Sequence, residues 1–162
     1  MNKSILFSIF CAFCVLTGAA QSYSGGSGTE ADPYRISSKA DMEALATAVN
    51  SNTAYSISKY FLLTQDITDE VTTIVGNSSY PFYGTFDGGG HSITVNINTT
   101  TTYAGVFGYI YSATVKNLGV TGSISSSSSY YSSSYSGGIC GYASSSSISN
   151  CYNTGSISSS SS

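Results

Sequence analysis

The chain has 162 residues, a formal net charge of −3 and only 8% charged side chains. With 5 Lys and Arg in total it has no basic stripe to neutralise phosphates, which argues against nucleic acid as a partner. Its polarity comes from hydroxyls instead: 14 Tyr and 7 Phe, with no Trp, stand among long runs of Ser and Thr, a mixture suited to flat β surfaces.

Lys3, the apolar run Ile5–Leu16 and the small residues Gly18 and Ala20 read as a secretory signal peptide, residues 1–20, cleaved after Ala20. The run is short for a membrane span. Gln21, not Cys, follows the small residues, so a lipoprotein is not expected; Cys11 and Cys14 act as small hydrophobes within the signal. No second apolar segment follows. The expected product is an exported domain, secreted or at the cell surface, with no membrane span after signal cleavage.

Residues 21–29 read as a flexible Ser/Gly linker. Residues 30–59 hold a short strand, Tyr34–Ile36, and a helix predicted over Lys39–Ser51. Ser38 is its N-cap with Asp41 three residues on, and Met42, Leu45, Ala46 and Val49 form one apolar stripe. A lone amphipathic helix ahead of β-rich repeats is suited to capping the open end of the array. From residue 60 to 162 the pattern is β, with strands predicted at Tyr60–Leu63, Val71–Val75, Phe82–Phe86 and Ile93–Ile97, separated by turns such as Gly88-Gly89-Gly90.

Residues 105–125 and 138–158 overlay without a gap at an offset of 33 residues. Gly105, Gly108, Tyr109, Asn117 and Gly122 recur as Gly138, Gly141, Tyr142, Asn150 and Gly155. Such periodicity marks units that stack because none can bury its apolar face alone. Stacking would set Asn117 above Asn150 in an amide ladder at a bend.

Those residues also resemble a known motif. GVFG and GICG, each followed by an apolar-x-Asn step and then Gly-Ser-Ile, resemble the GLUG motif of exported bacterial surface proteins, and GTFDGGGHSI (84–93) resembles the lead-in that often precedes it. The resemblance implies an all-β fold, a right-handed parallel β-helix (solenoid) with an N-terminal amphipathic capping helix, and a cell-surface or secreted adhesin-like role. Some proteins with this motif are peptidases acting through a separate zinc domain with a His-Glu-x-x-His helix. That signature does not occur in this sequence, which has a single His. Two recognisable repeats are few for a solenoid, so two expectations stay open: further repeats follow in a longer protein, or the last unit associates end to end.

The candidates for chemistry each have a plainer reading beside them. His91 and Asp87 are the one base and carboxylate close in sequence, yet Asp87 also suits a turn and His91 the start of a strand. Asp66, Asp69 and Glu70 are the acidic cluster, without EF-hand spacing. Lys59 and Lys116 are the available bases for a lyase. No catalytic residue, metal or cofactor is therefore assigned; the alternative retained is a β-helical polysaccharide-degrading enzyme, lyase or hydrolase. A regular Thr-x-Thr ladder of the ice-binding kind is not present, Thr99–Thr102 being a lone run. Tyr130, Tyr131 and Tyr135 form a candidate ligand-binding loop, since Tyr with Ser and Gly is a composition that binding loops favour, and glycans or host surface proteins both fit it. Cys140 and Cys151 are either two buried thiols or a disulfide.

Overall fold

The structure is a computed structural model and describes residues 23–128 and 133–161. It is mostly β with one helix. In chain order the elements are β1 (Tyr34–Ile36), α1 (Lys39–Ser51), β2 (Tyr60–Leu63), β3 (Ile67–Val71), β4 (Thr85–Asp87), β5 (Ser92–Thr99) and β6 (Tyr103–Ala104). β7 (Phe107–Tyr111), β8 (Thr114–Lys116), β9 (Gly119–Ser128), β10 (Tyr135–Ser136), β11 (Cys140–Ser144), β12 (Ser147–Ser149), β13 (Tyr152–Asn153) and β14 (Ser156–Ser161) follow.

The strand pairs are parallel, and a strand's neighbour comes from the next pass of the chain. One sheet runs β1-β2-β4-β8-β12, a second β3-β5-β9-β13 with β14 also on β9, and two short pairs are β6-β10 and β7-β11. This pairing stacks like on like. Tyr34, Phe61, Phe86, Val115 and Ile148 form one row of register partners, and Ile97, Ile124 and Ile157 another. Phe61, Phe82, Phe107 and Phe86 form an aromatic spine with ring centroids 5.0 to 5.7 Å apart. Each such buried side chain contributes about 1.5–3 kcal/mol. The rows stay sealed until the last pass: Val115 and Ile124 are buried, whereas Ile148 and Ile157 are each 43% exposed.

α1 forms where the apolar stripe predicts it, and Met42, Leu45, Ala46 and Val49 are all buried, with the helix against β3. Ser38 Oγ accepts from Asp41 N at 3.2 Å. The Asp41 carboxylate does not reach back to the cap residue. It accepts from Ser37 N and Ser24 Oγ, both at 2.8 Å, which ties the start of the helix to the N-terminal segment.

That segment corrects the expectation of a flexible linker over 21–29. From Tyr23 onward it lies along β1: Ser24 N donates to Arg35 O, Arg35 N to Gly25 O, and Gly28 N to Asp32 O. Gly26 must be glycine here, with φ +87° and a Cβ position only 1.9 Å from Pro33 O. Tyr23 packs on Tyr34 and Phe61 and shares a 2.8 Å hydroxyl hydrogen bond with Tyr55. Ser and Gly serve as compact backbone cover.

Two strand assignments also shift. The strand expected at Val71–Val75 is Ile67–Val71, with Val75 making a single bridge to Phe107; the one at Phe82–Phe86 is Thr85–Asp87, with Phe82 bridged to Ile110. β3 buries only its ends because its register with β5 shifts between Ile67 and Val71, so it lacks the alternation a strand normally shows. Between β3 and β4, Gly76 at φ +79° and the Asn77 turn, whose Oδ1 accepts from Ser79 N and Tyr80 N, break the ladder.

Candidate functional site: a tyrosine cluster beside a neutral cleft

The two repeats lay Tyr142 on Tyr109 in the β7-β11 pair, and just ahead of them Tyr135 lies on Tyr103 in the β6-β10 pair. The four rings form one cluster. Tyr109 and Tyr142 have centroids 4.9 Å apart, Tyr103 lies 5.3 to 5.6 Å from the other three, and Tyr103 and Tyr135 are stacked at 28° between planes. Tyr135 and Tyr142 are its exposed members, at 46% and 40%. Burial, then the neighbouring Tyr142 and Tyr103, push the Tyr109 hydroxyl above its ordinary pKa.

The glycines of the repeat create the space for this cluster. A Cβ on Gly108 would lie 2.5 Å from Gly76 O, and one on Gly141 would lie 2.7 Å from Ala104 N and 2.9 Å from Tyr135 O. Both glycines therefore stand where one backbone crosses close to another: a side chain at Gly108 would push β7 away from Gly76, and one at Gly141 would push β11 off the strands that carry Tyr103 and Tyr135.

Tyr103 also forms one wall of a cleft of about 360 Å³, which runs past Thr101 and Thr102 to Asn77, Ser78 and Asn50. No charged side chain lines it. Asn50, at the end of α1, donates to Ile74 O and accepts from Gly76 N, each at 2.9 Å, and so clips the helix to the cleft floor. Thr99 and Thr101, from the lone threonine run, share a 3.0 Å hydroxyl contact at its rim.

The structure disperses most of the other candidates. Tyr130 and Tyr131 lie outside the described residues, and Tyr135 belongs to the cluster. The disulfide is not formed: Cys140 and Cys151 are both free. Cys140 Sγ turns to Tyr142 O at 3.0 Å and Cys151 Sγ to Ser149 O at 3.2 Å, each serving as a half-buried hydrophobe against the core. Burial pushes the Cys140 thiol up to about 11.

His91 faces Asp66, with Nδ1 3.5 Å from Oδ1, rather than Asp87. Asp66 itself accepts from Ser92 N at 2.8 Å, and this hydrogen bond, ahead of His91, holds its carboxyl below the usual range. Glu70 accepts from Asn96 Nδ2 at 2.8 Å, and no group of His, Cys, Asp and Glu that could hold a metal occurs among the described residues. Lys59 contributes its backbone carbonyl to Thr85 N, and Lys116 pairs with Asp87 at 3.2 Å.

The expected amide ladder is present and one rung longer than the sequence suggests. Asn150 Nδ2 donates to Asn117 Oδ1 at 2.7 Å, and Asn117 Nδ2 donates to Asp87 Oδ1 at 2.9 Å. Both asparagines are left-handed, at φ +55° and +51°, a conformation that Asn tolerates better than most residues.

Pairing in register at a 33-residue offset, with Gly and Asn fixed at the close approaches and bends, defines a β-rich protein of repeated units. The sequence model of the GLUG motif matches residues 132–158, and the chain carries that motif. Nothing matches the chain among curated proteins or among solved structures.

Proposed function

We propose that the chain is an exported, non-enzymatic binding and spacer module of adhesin-like kind, secreted or at the cell surface, built as a right-handed parallel β-helix with α1 as its N-terminal cap. Support for the solenoid comes from the parallel pairing of each strand with the next pass. The GLUG match supports a repeat module of extracellular type. The single observation that carries the binding role is the exposed tyrosine cluster, assembled from strands of two successive passes.

The polysaccharide-degrading alternative needs an acid and a base near a substrate cleft, and the groups that would serve have structural partners. Asp66 anchors the start of β5 through Ser92 N, and Asp87 anchors the Gly89 turn, Asn117 and Lys116. Exposed Ile148 and Ile157 in the last described pass suit either further repeats stacking on them or end-to-end self-association.

The test is two measurements on the chain from Gln21 onward. Labelled protein should be retained on host epithelial cells and lose that retention when Tyr135 and Tyr142 are both replaced by Ala. Incubation with plant and host polysaccharides, with and without Ca²⁺, should release no reducing ends or unsaturated products. Turnover abolished by His91→Ala or Asp66→Ala would overturn the reading in favour of the enzyme.

A further inference from the structure

We infer that the tyrosine cluster and its adjoining cleft form one glycan-binding site, selective for neutral oligosaccharides. The inference rests on the binding-module reading and specifies its ligand. Tyr103 belongs to both halves of the site, as a wall of the cleft and as the ring in contact with Tyr109, Tyr135 and Tyr142. A pyranose has an apolar face of axial C–H groups and a rim of hydroxyls. The electron-rich faces of tyrosine rings attract the C–H groups, and rigid rings lose little conformational freedom on binding.

The rim needs neutral donors and acceptors, and the cleft supplies hydroxyls at Ser78 and Thr102, while Asn77 and Thr101 shape its wall through their own hydrogen bonds. Ser78 and Thr102 are exposed, so their hydroxyls are open to a ligand, whereas Thr101 Oγ1 is taken up by Tyr103 O and Thr99. Charge selects further. With no cationic side chain in the lining and a net charge of −3, nothing at the site offsets the desolvation of a uronate, sulfate or sialate group. An apolar peptide would leave the Ser78 and Thr102 hydroxyls without a partner, whereas a polyhydroxylated ring satisfies both halves. A cleft of about 360 Å³ accommodates one or two sugar rings, with the rest of the chain lying along the exposed tyrosines.

The test uses isothermal titration of the full exported chain with cellohexaose, xylohexaose, mannohexaose and oligogalacturonate, together with capture on immobilised mucin before and after periodate oxidation. At least one neutral oligosaccharide should bind and oligogalacturonate should not. Tyr142→Ala should weaken that binding roughly tenfold, while Tyr142→Phe, which keeps the ring, stays close to the parent. Thr102→Val should weaken it several-fold and Thr102→Ser should not; melting curves of all variants show whether each is folded. Mucin capture that survives periodate would mean a protein ligand, overturning the glycan inference while leaving the binding module standing. Preference for oligogalacturonate, equal loss in Tyr142→Phe and Tyr142→Ala, or no binding to any of these probes would each overturn the inference as well.

Discussion

Replacing Asn117 tests the bend at which successive passes are tied together. Its amide donates to a carboxylate, Asp87 Oδ1, and accepts from Asn150 Nδ2, while its own φ is +55°. A hydrogen bond to a charged group is worth about 1.5–3 kcal/mol and one to a neutral, solvent-facing amide about 0.5–1 kcal/mol. Alanine loses both and adds left-handed strain of roughly 1 kcal/mol, so Asn117→Ala should destabilise by about 3–5 kcal/mol in all. Glycine escapes the strain, so Asn117→Gly should cost about 2–4 kcal/mol, roughly 1 kcal/mol less than alanine.

Acid provides an independent readout. Burial alone would raise the Asp87 pKa, but Asn117, Gly89 N and Lys116 together outweigh it and hold the carboxyl below its ordinary value. A depressed native pKa contributes stability that is present above the unfolded value of about 3.9 and lost as pH falls through the native value. Without Asn117 the depression shrinks, so the gap between parent and variant should narrow below about pH 4. Urea melts at pH 7 and at pH 3 measure both effects. Equal costs for Ala and Gly, or a gap that does not change with pH, would refute the account of the bend.

Leu45→Asp should cost at least ~2 kcal/mol, since it places a charge where a fully buried aliphatic chain seals α1 against β3, and an unshifted melting curve would mean the helix is not docked. Gly108→Ala should destabilise by about 1–3 kcal/mol and perturb tyrosine near-ultraviolet dichroism, because its Cβ meets Gly76 O; an unchanged spectrum would separate the glycine from the cluster. Lys at both Ser156 and Ser158 should shift any end-to-end oligomer toward monomer in sedimentation, and a parent that is fully folded and monomeric at high concentration would dismiss the last pass as a contact surface.

The repeat register was legible because glycine, asparagine and apolar positions recur without a gap, and the structure pairs Cys140 with Phe107 and Ile148 with Val115 as the overlay implies. The helix was legible too, its stripe having the right period and a Ser before it. The tyrosine cluster was only half legible. Tyr109 and Tyr142 lie inside the overlaid segments, but Tyr103 and Tyr135 lie just outside them, offset by one residue from the repeat, so only three-dimensional pairing brings them together. The N-terminal segment was misread because its bonds are made by backbone atoms, on which Ser and Gly composition is silent. Asp66 as the partner of His91 is a contact between adjacent passes, and nearness in sequence favoured Asp87.

The serine-rich strands carry an informational consequence. β9 and β14 align Ser125–Ser128 with Ser158–Ser161, and a homopolymer cannot tell one alignment from another two residues away. What counts the residues is Ile124 beside Ile157, together with Gly122, whose φ of +93° and contact with Gly155 allow no substitute position. Upstream of that landmark a single inserted residue would shift every partner; downstream, the one serine set apart from its neighbours is Ser126, buried and hydrogen-bonded to Ser134 and Ser136 at 2.7 Å each. The tract therefore carries almost no positional information of its own, and its alignment is inherited from Ile124 and from the single buried hydroxyl of Ser126.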